Sequence, residues 1–227
     1  EIEEDNTNNN LNEYYSSIKA TSGEALKQEL RELITDTHNK NTTYEELKEY
    51  LQEADEDPNN PDNMILFYTG ESVEKSANMS VWNREHVWSK SLGWFETTKA
   101  GADAHHIRPC DVTVNGHRSN TKFGESDDYY NPFDPLDVDA EVNEDFRGDV
   151  ARIIFYMMVR YSESDEFTWT SIAESYDILA NWNDIDPVSE LEINRNDYVY
   201  TIQGNRNPFI DNADYADMIW GDPNPNN

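Results

Sequence analysis

The chain has little of several things that its 227 residues could have held. It carries one cysteine, Cys110, so no internal disulfide can form and a four-cysteine zinc site is excluded. Basic side chains are scarce: 17 Lys and Arg stand against 47 Asp and Glu, a net charge of −30. Such a field repels nucleic acid, acidic lipid and other copies of the chain, so taken alone it argues against a DNA partner and for a monomer. It also suits a protein that stays hydrated in concentrated salt, where charges are screened within about 3 Å at 1 M. No run approaches the roughly 20 apolar residues needed to cross a bilayer, so no membrane partner is expected. The first ten residues, Glu1 to Asn10, lack the basic-then-apolar pattern of a secretion signal and read as a frayed terminus. Aromatic residues are not lacking. Six Trp, 13 Tyr and 8 Phe supply the bulk for a real core and exclude a wholly disordered acidic tail.

Hydrophobic spacing predicts a mixed α+β chain, mostly helical, in one domain over residues 13–221, with flexible ends at 1–12 and 222–227. Leu26, Leu30, Leu33 and Ile34 recur at helical spacing within 23–37, and Tyr44, Leu47, Tyr50 and Leu51 repeat it behind a Thr43/Glu46 capping box. Asp57-Pro58-Asn59-Asn60-Pro61 reads as a breaker, and Met64 to Tyr68 as a core strand after it. Two further strands are expected at 81–87 and 104–109, then a helix opening at Asp111. Phe146, Val150, Ile153, Ile154, Met157, Met158 and Tyr161 mark a buried central helix. Residues 187–196 read as another amphipathic helix.

Chemistry concentrates between Arg84 and Lys122. This window holds six basic residues and four acidic ones, a net of +2 that leaves −32 to the rest, and four of the five histidines. Asn83-Arg84-Glu85-His86 sets a carboxylate beside an imidazole, Asp103-Ala104-His105-His106 adds three titratable groups, and Asn115-Gly116-His117-Arg118 adds an amide oxygen and a guanidinium. Each element alone is common. Together they match phosphodiester hydrolysis, which needs an activated water, a hard cation on the phosphorus oxygens and basic groups on the phosphate. Glu85 and Asn115 offer hard oxygens suited to Mg²⁺, His86 a base near neutrality, and Arg118 and Arg108 a grip on phosphate. One geometric condition follows. Neighbours on a strand face opposite ways, so Glu85 and His86 can serve one phosphate only at a strand end.

The run Asn83-Arg84-Glu85-His86-Val87-Trp88, the segment Asp103 to Pro109, the run Val114-Asn115-Gly116-His117-Arg118-Ser119-Asn120 and then Phe123-Gly124 resemble the endonuclease I family of secreted and periplasmic bacterial nucleases. The resemblance extends to Gly148-Asp149-Val150-Ala151-Arg152 and to Gln203 through Phe209, and covers roughly residues 14–211. It implies a ββα-metal (His-Me finger) core. It further implies that Glu85 and Asn115 hold a catalytic Mg²⁺, for which Mn²⁺ can substitute, that His86 deprotonates the attacking water with Arg118 as a second catalytic group, and that a metal-bound water protonates the leaving 3′ oxygen to give 5′-phosphate ends. Arg84, Arg108, Asn120 and Lys122 would bind substrate, and Asp103, His105 and His106 would support the site, Asp103 and His105 from the second strand. The expected partners are DNA and RNA, cut with little sequence preference outside the cell or in the periplasm. A product-binding Arg found in a longer, disulfide-bearing segment of some members has no counterpart here.

Two other readings compete. His105, His106 and Cys110 could form a zinc cluster in an acidic binding module without nuclease activity. Asp134, Asp137 and Asp139 could bind calcium, although their spacing lacks the glycine and terminal glutamate of an EF-hand loop.

Overall fold

The structure, a computed structural model, describes residues 10–134, 145–161 and 167–223. Asp137 and Asp139 of the calcium reading lie outside them, as do most of the two expected flexible ends.

After a short helical stretch at 10–14, α1 (Gly23–Asp36) carries Leu26, Leu30 and Ile34 as the buried stripe that the spacing predicts. The Thr43/Glu46 box is made in both directions, Glu46 Oε2 accepting from the Thr43 amide at 2.8 Å and Thr43 Oγ1 from the Glu46 amide at 3.2 Å, and α2 (Leu47–Ala54) follows it. The Asp-Pro-Asn-Asn-Pro segment does not merely break the chain. It turns β1 (Glu56–Asp57) into β2 (Asn60–Ile65), which pairs on its other side with β3 (Ser72–Glu74). The expected strand at 64–68 is therefore earlier than its apolar run, because Asn60, Pro61 and Asp62 occupy an exposed hairpin end. Leu66 to Tyr68 instead run in beside a second sheet, where the Phe67 amide donates to the Pro109 carbonyl at 2.8 Å.

That second sheet is an antiparallel pair, β4 (Trp82–His86) and β5 (Ile107–Asp111), with His86 opposite Ile107 and Trp82 opposite Asp111. α3 (Lys90–Gly93) and a 3₁₀ turn over Lys99–Ala102 lie on the connection between them. α4 (Val112–Arg118) leaves β5 directly, its first turn capped by the Asp111 carboxylate, which accepts from the Thr113 and Val114 amides. A strand pair followed at once by a helix is the ββα unit that the resemblance implies. Asp103, His105 and His106 do not reach the second strand as expected. The Asp103 carbonyl takes the amides of His106 and Ile107, each at 3.0 Å, and closes a turn ahead of β5.

The rest of the domain is helical: α5 (Arg147–Tyr161), α6 (Trp169–Ile172), α7 (Tyr176–Ile185), α8 (Glu190–Gln203), α9 (Pro208–Asp211) and α10 (Tyr215–Trp220). α5 is buried on every side from Gly148 to Val159, as a helix at the centre of a core must be, and packs against α7, α1 and α9. α8 starts at the Ser189/Glu192 capping box and runs seven residues past the expected end, to a left-handed Gly204. The β4–β5 pair separates two apolar clusters. Ile107 faces the smaller, with Leu47, Leu51, Trp82 and Val199, while Cys110 faces the larger, with Phe67, Val114, Phe123 and α5.

Candidate active site

Strand alternation sorts the predicted residues. Asn83 and Glu85 lie on one face of β4, Arg84 and His86 on the other. α4 lies across the Asn83/Glu85 face and meets it one turn apart: the Asn115 amide nitrogen donates to Asn83 Oδ1, and the Arg118 guanidinium comes 3.4 Å from Glu85 Oε1. Glu85 is buried, and Tyr68 Oη donates to the same Oε1 at 2.8 Å. Burial raises the Glu85 pKa against the opposing pull of Arg118 and Tyr68.

These bonds decide whether a hard cation fits. Oε1 of Glu85 is held from two sides, which leaves Oε2 as the oxygen available to a cation. The amide nitrogen of Asn115 is spent on Asn83, which leaves its Oδ1. One carboxylate and one amide oxygen on a shared face suit Mg²⁺, which keeps several waters and binds through one or two protein ligands plus phosphate. By contrast, no three His, Cys, Asp or Glu side chains gather as a metal-binding group among the described residues. His105, His106 and Cys110 in particular form no zinc cluster. His105 Nε2 donates to the Asn205 carbonyl at 3.0 Å, His106 Nδ1 donates to the Ala100 carbonyl at 2.8 Å, and His106 Nε2 accepts from the Trp88 amide at 2.9 Å. Cys110 is a buried free thiol within the strand pair.

On the opposite face, His86 is the last residue of β4, so the strand-end condition is met. Its Nε2 lies 3.0 Å from the Gly101 carbonyl. A carbonyl only accepts, so Nε2 carries the hydrogen and Nδ1 keeps the lone pair. Tyr44 stacks on the ring at 5.4 Å and Phe95 packs at 6.1 Å. Burial lowers the His86 pKa from 6.5 to about 3, helped by His106, Lys90 and Arg84 and opposed by the Gly101 bond. The imidazole is therefore neutral well below neutral pH and can accept a proton, but in this buried setting it is a weaker base than the near-neutral one expected from the sequence. β5 pairs with β4 on one side only and is flanked on its other side by Phe67, so β4 is the outer strand of this sheet. Glu85 and His86 therefore lie on the two faces of that edge strand.

The remaining predicted residues are placed differently from one another. Arg118 is fully buried: it donates to Ser89 Oγ and to the Val87 carbonyl at 2.7 Å and stacks over Phe123, so it braces the turn that follows His86. Arg108, expected on phosphate, is 1% exposed and pairs with Asp55 at 2.8 Å and Asp149 at 3.2 Å, so its charge is spent inside the protein. Arg84 lies over the Tyr44 ring at 3.6 Å and donates to the Tyr44 carbonyl. Asn120 is exposed and donates to Ser91 Oγ at 3.2 Å, and Lys122 donates to the Thr170 carbonyl at 2.5 Å. Asp103 is the hub of a buried network, accepting from Gln203 at 3.0 Å, Tyr156 at 2.6 Å and Tyr161 at 2.8 Å. Because Asp103 closes the segment carrying Ala100 and Gly101, that network sets the carbonyls on which both His106 and His86 rest.

Three contributors escaped the sequence reading. Tyr68 read as core, Tyr44 as a helix-face aromatic and Gly101 as a loop glycine. The only local signal is at Tyr68, where a Thr-Gly follows the apolar run and the backbone turns left-handed (φ 73°) to aim the phenol at Glu85.

The Endonuclease I family pattern matches residues 22–214. The chain belongs to the endonuclease I family. Two relatives agree over almost its whole length: an extracellular ribonuclease of Bacillus subtilis (strain 168), 41% identical over 91% of this chain and 78% of that protein, and an extracellular ribonuclease of Bacillus amyloliquefaciens, 42% identical over the same shares. A periplasmic deoxyribonuclease of Aeromonas hydrophila is 26% identical over 51% of this chain and 50% of its own. As an endonuclease I family member the protein is a nuclease. No helix among the described residues is long and apolar enough to cross a membrane.

Proposed function

We propose that the protein is a Mg²⁺-dependent endonuclease that hydrolyses phosphodiester bonds of DNA and RNA without sequence preference, leaves 5′-phosphate ends, and works as a monomer, secreted or in the periplasm, in concentrated salt. The observation that carries this reading is a neutral His86 at the end of β4, its Nδ1 left to accept because Gly101 holds Nε2, on the strand whose other face sets Glu85 against the helix that carries Asn115. His86 Nδ1 takes a proton from the attacking water as its oxygen adds to phosphorus. Glu85 and Asn115 would hold the cation, which when bound would supply positive charge to the phosphate oxygens and acid for the departing 3′ oxygen. Tyr68 and Arg118 hold Glu85 in place, and Tyr44 and Phe95 shield the imidazole. Every group acts on backbone atoms, which carry no sequence information. The names of the Bacillus relatives support RNA and an extracellular setting, and that of the Aeromonas relative supports DNA.

Nicking of plasmid DNA and cutting of a labelled RNA, each before and after chelation, test the reading. EDTA is expected to stop both, and Mg²⁺ or Mn²⁺ to restore both. Stoichiometric zinc that survives dialysis, in a protein that cuts neither substrate, would favour the binding-module reading instead. His86→Ala is expected to lose several orders of magnitude in rate with unchanged affinity for a strand in an anisotropy titration. A matching loss of affinity would make the imidazole a ligand or a structural group.

A further inference from the structure

The connection between β4 and β5 presents one side chain that the catalytic reading leaves unused. Trp94 is 82% exposed, the most exposed of the large hydrophobic residues described. It stands in the left-handed region (φ 53°, ψ 34°) as the C-cap of α3, a conformation that bulky L-residues avoid and that glycine adopts without strain. The loop around it is tightly built. A Cβ at Gly93 would meet the Phe95 ring at 2.3 Å, and one at Gly101 would lie 1.8 Å from the Glu96 carbonyl oxygen. Gly93 thus lets Phe95 fold inward, against His86 at 6.1 Å and His106 at 5.4 Å, while the ring between them in sequence, Trp94, is left outward. Folding gains little from that indole: its surface stays in water and its backbone is strained. Strain held by a well-packed loop beside a catalytic group points to function.

Lys90 sits four residues earlier, its carbonyl capping the Trp94 amide, and it is exposed. It opens the short helix that follows His86 by four residues. An exposed indole and an exposed cation on one rigid turn, next to the general base, form the combination that holds a single strand: aromatic face for a base, charge for the backbone.

We propose that Trp94 is a nucleobase-stacking platform that seats an unpaired base of the substrate strand near the cut phosphate, with Lys90 on the adjoining backbone. This rests on the nuclease reading above and deepens it. Only a base whose face is free can stack there, so the site favours single-stranded segments over intact duplex.

The test measures affinity in EDTA by fluorescence anisotropy, using a labelled single-stranded octanucleotide, the same strand with abasic sites, and the matching duplex. Trp94→Gly keeps the left-handed turn and removes the ring. It is expected to weaken binding of the intact strand by roughly 5- to 150-fold, the range of one base–aromatic stack, to leave the abasic strand and the duplex unchanged, and to raise the melting temperature. Trp94→Phe should stay within a few-fold of the parent. Equal affinity of parent and Trp94→Gly for the intact strand, or an equal loss on the abasic strand, overturns the stacking role. So does a change confined to sedimentation, which would make the ring a contact between copies. A parent protein that cuts the octanucleotide once Mg²⁺ is added keeps the nuclease reading alive whatever Trp94 does, and one that neither binds nor cuts it ends both.

Discussion

Single side chains decide this site through the atoms they occupy as much as through those they offer. Tyr68 and Arg118 both converge on Glu85 Oε1, which fixes the carboxylate and leaves its other oxygen uncommitted to either. Removing such a supporting bond from a metal ligand typically costs 10- to 100-fold in metal affinity or activity. Tyr68→Phe is therefore expected to shift the Mg²⁺ activation midpoint upward by about that factor with the fold intact, and an unchanged midpoint would make the phenol mere packing. His105 and His106 carry a different consequence. Burial lowers both pKa values from 6.5 to about 4. Between those values the unfolded chain binds more protons than the folded one, so their contribution is complete above pH 6.5 and is lost as pH falls toward 4. The loss is on the order of 3 kcal/mol for each imidazole. Urea unfolding at pH 7 and pH 4.5 should show that His106→Gln, less stable at pH 7, loses less on acidification than the parent, the carboxylate contributions being common to both. An equal change in parent and variant would contradict the burial argument.

At the scale of elements, what the sequence made legible was whatever followed apolar period or a local cap. α1 and α5 lie within a residue or so of their expected bounds, β4 falls within its expected span, and the Thr43/Glu46 box is made as read. The ββα unit was recognised from its motif, and strand spacing agreed with it. What failed was periodicity in elements that bury polar groups. In α8 the inward residues include Glu192, Arg195, Asn196 and Gln203, while Ile193 is exposed, so the apolar pattern stops where the helix does not. Arg108 misled for the same reason: a guanidinium beside a candidate site reads as a phosphate contact, and nothing nearby in sequence announces Asp55 and Asp149. Asp103, read as part of a strand, acts through a turn. That turn can be tested at Gly101, whose carbonyl holds His86 and whose Cβ would collide with the Glu96 carbonyl. Displacing a catalytic group by about 1 Å can cost 100-fold in rate. Gly101→Ala is expected to lower kcat on that order with little change in KM, and a folded variant with the parent's kcat would show that the carbonyl does not orient the base.

The whole molecule sets an acidic body against a polyanionic substrate. Packing sharpens the conflict that the +2 and −32 division suggests, because Arg84, Arg108 and Arg118 within the window all face carboxylates in the fold, leaving the exposed Lys90 and Lys99 and the half-buried Lys122 as the other cations there. Few phosphate contacts mean a shallow loss of binding as counterions accumulate, while screening removes the repulsion from the body. Cleavage is expected to rise from low salt to an optimum of about 0.5 M or more, and an initial rate that only falls from about 50 mM upward would refute that expectation. All of these effects presuppose one cation shared by Glu85 and Asn115 at the end of the strand that carries His86. Anomalous diffraction from a crystal soaked in Mn²⁺ locates it directly. The account predicts a single strong peak bound by a Glu85 carboxylate oxygen and Asn115 Oδ1, on the face of β4 that α4 crosses; a peak elsewhere, with those two oxygens bare, would contradict it.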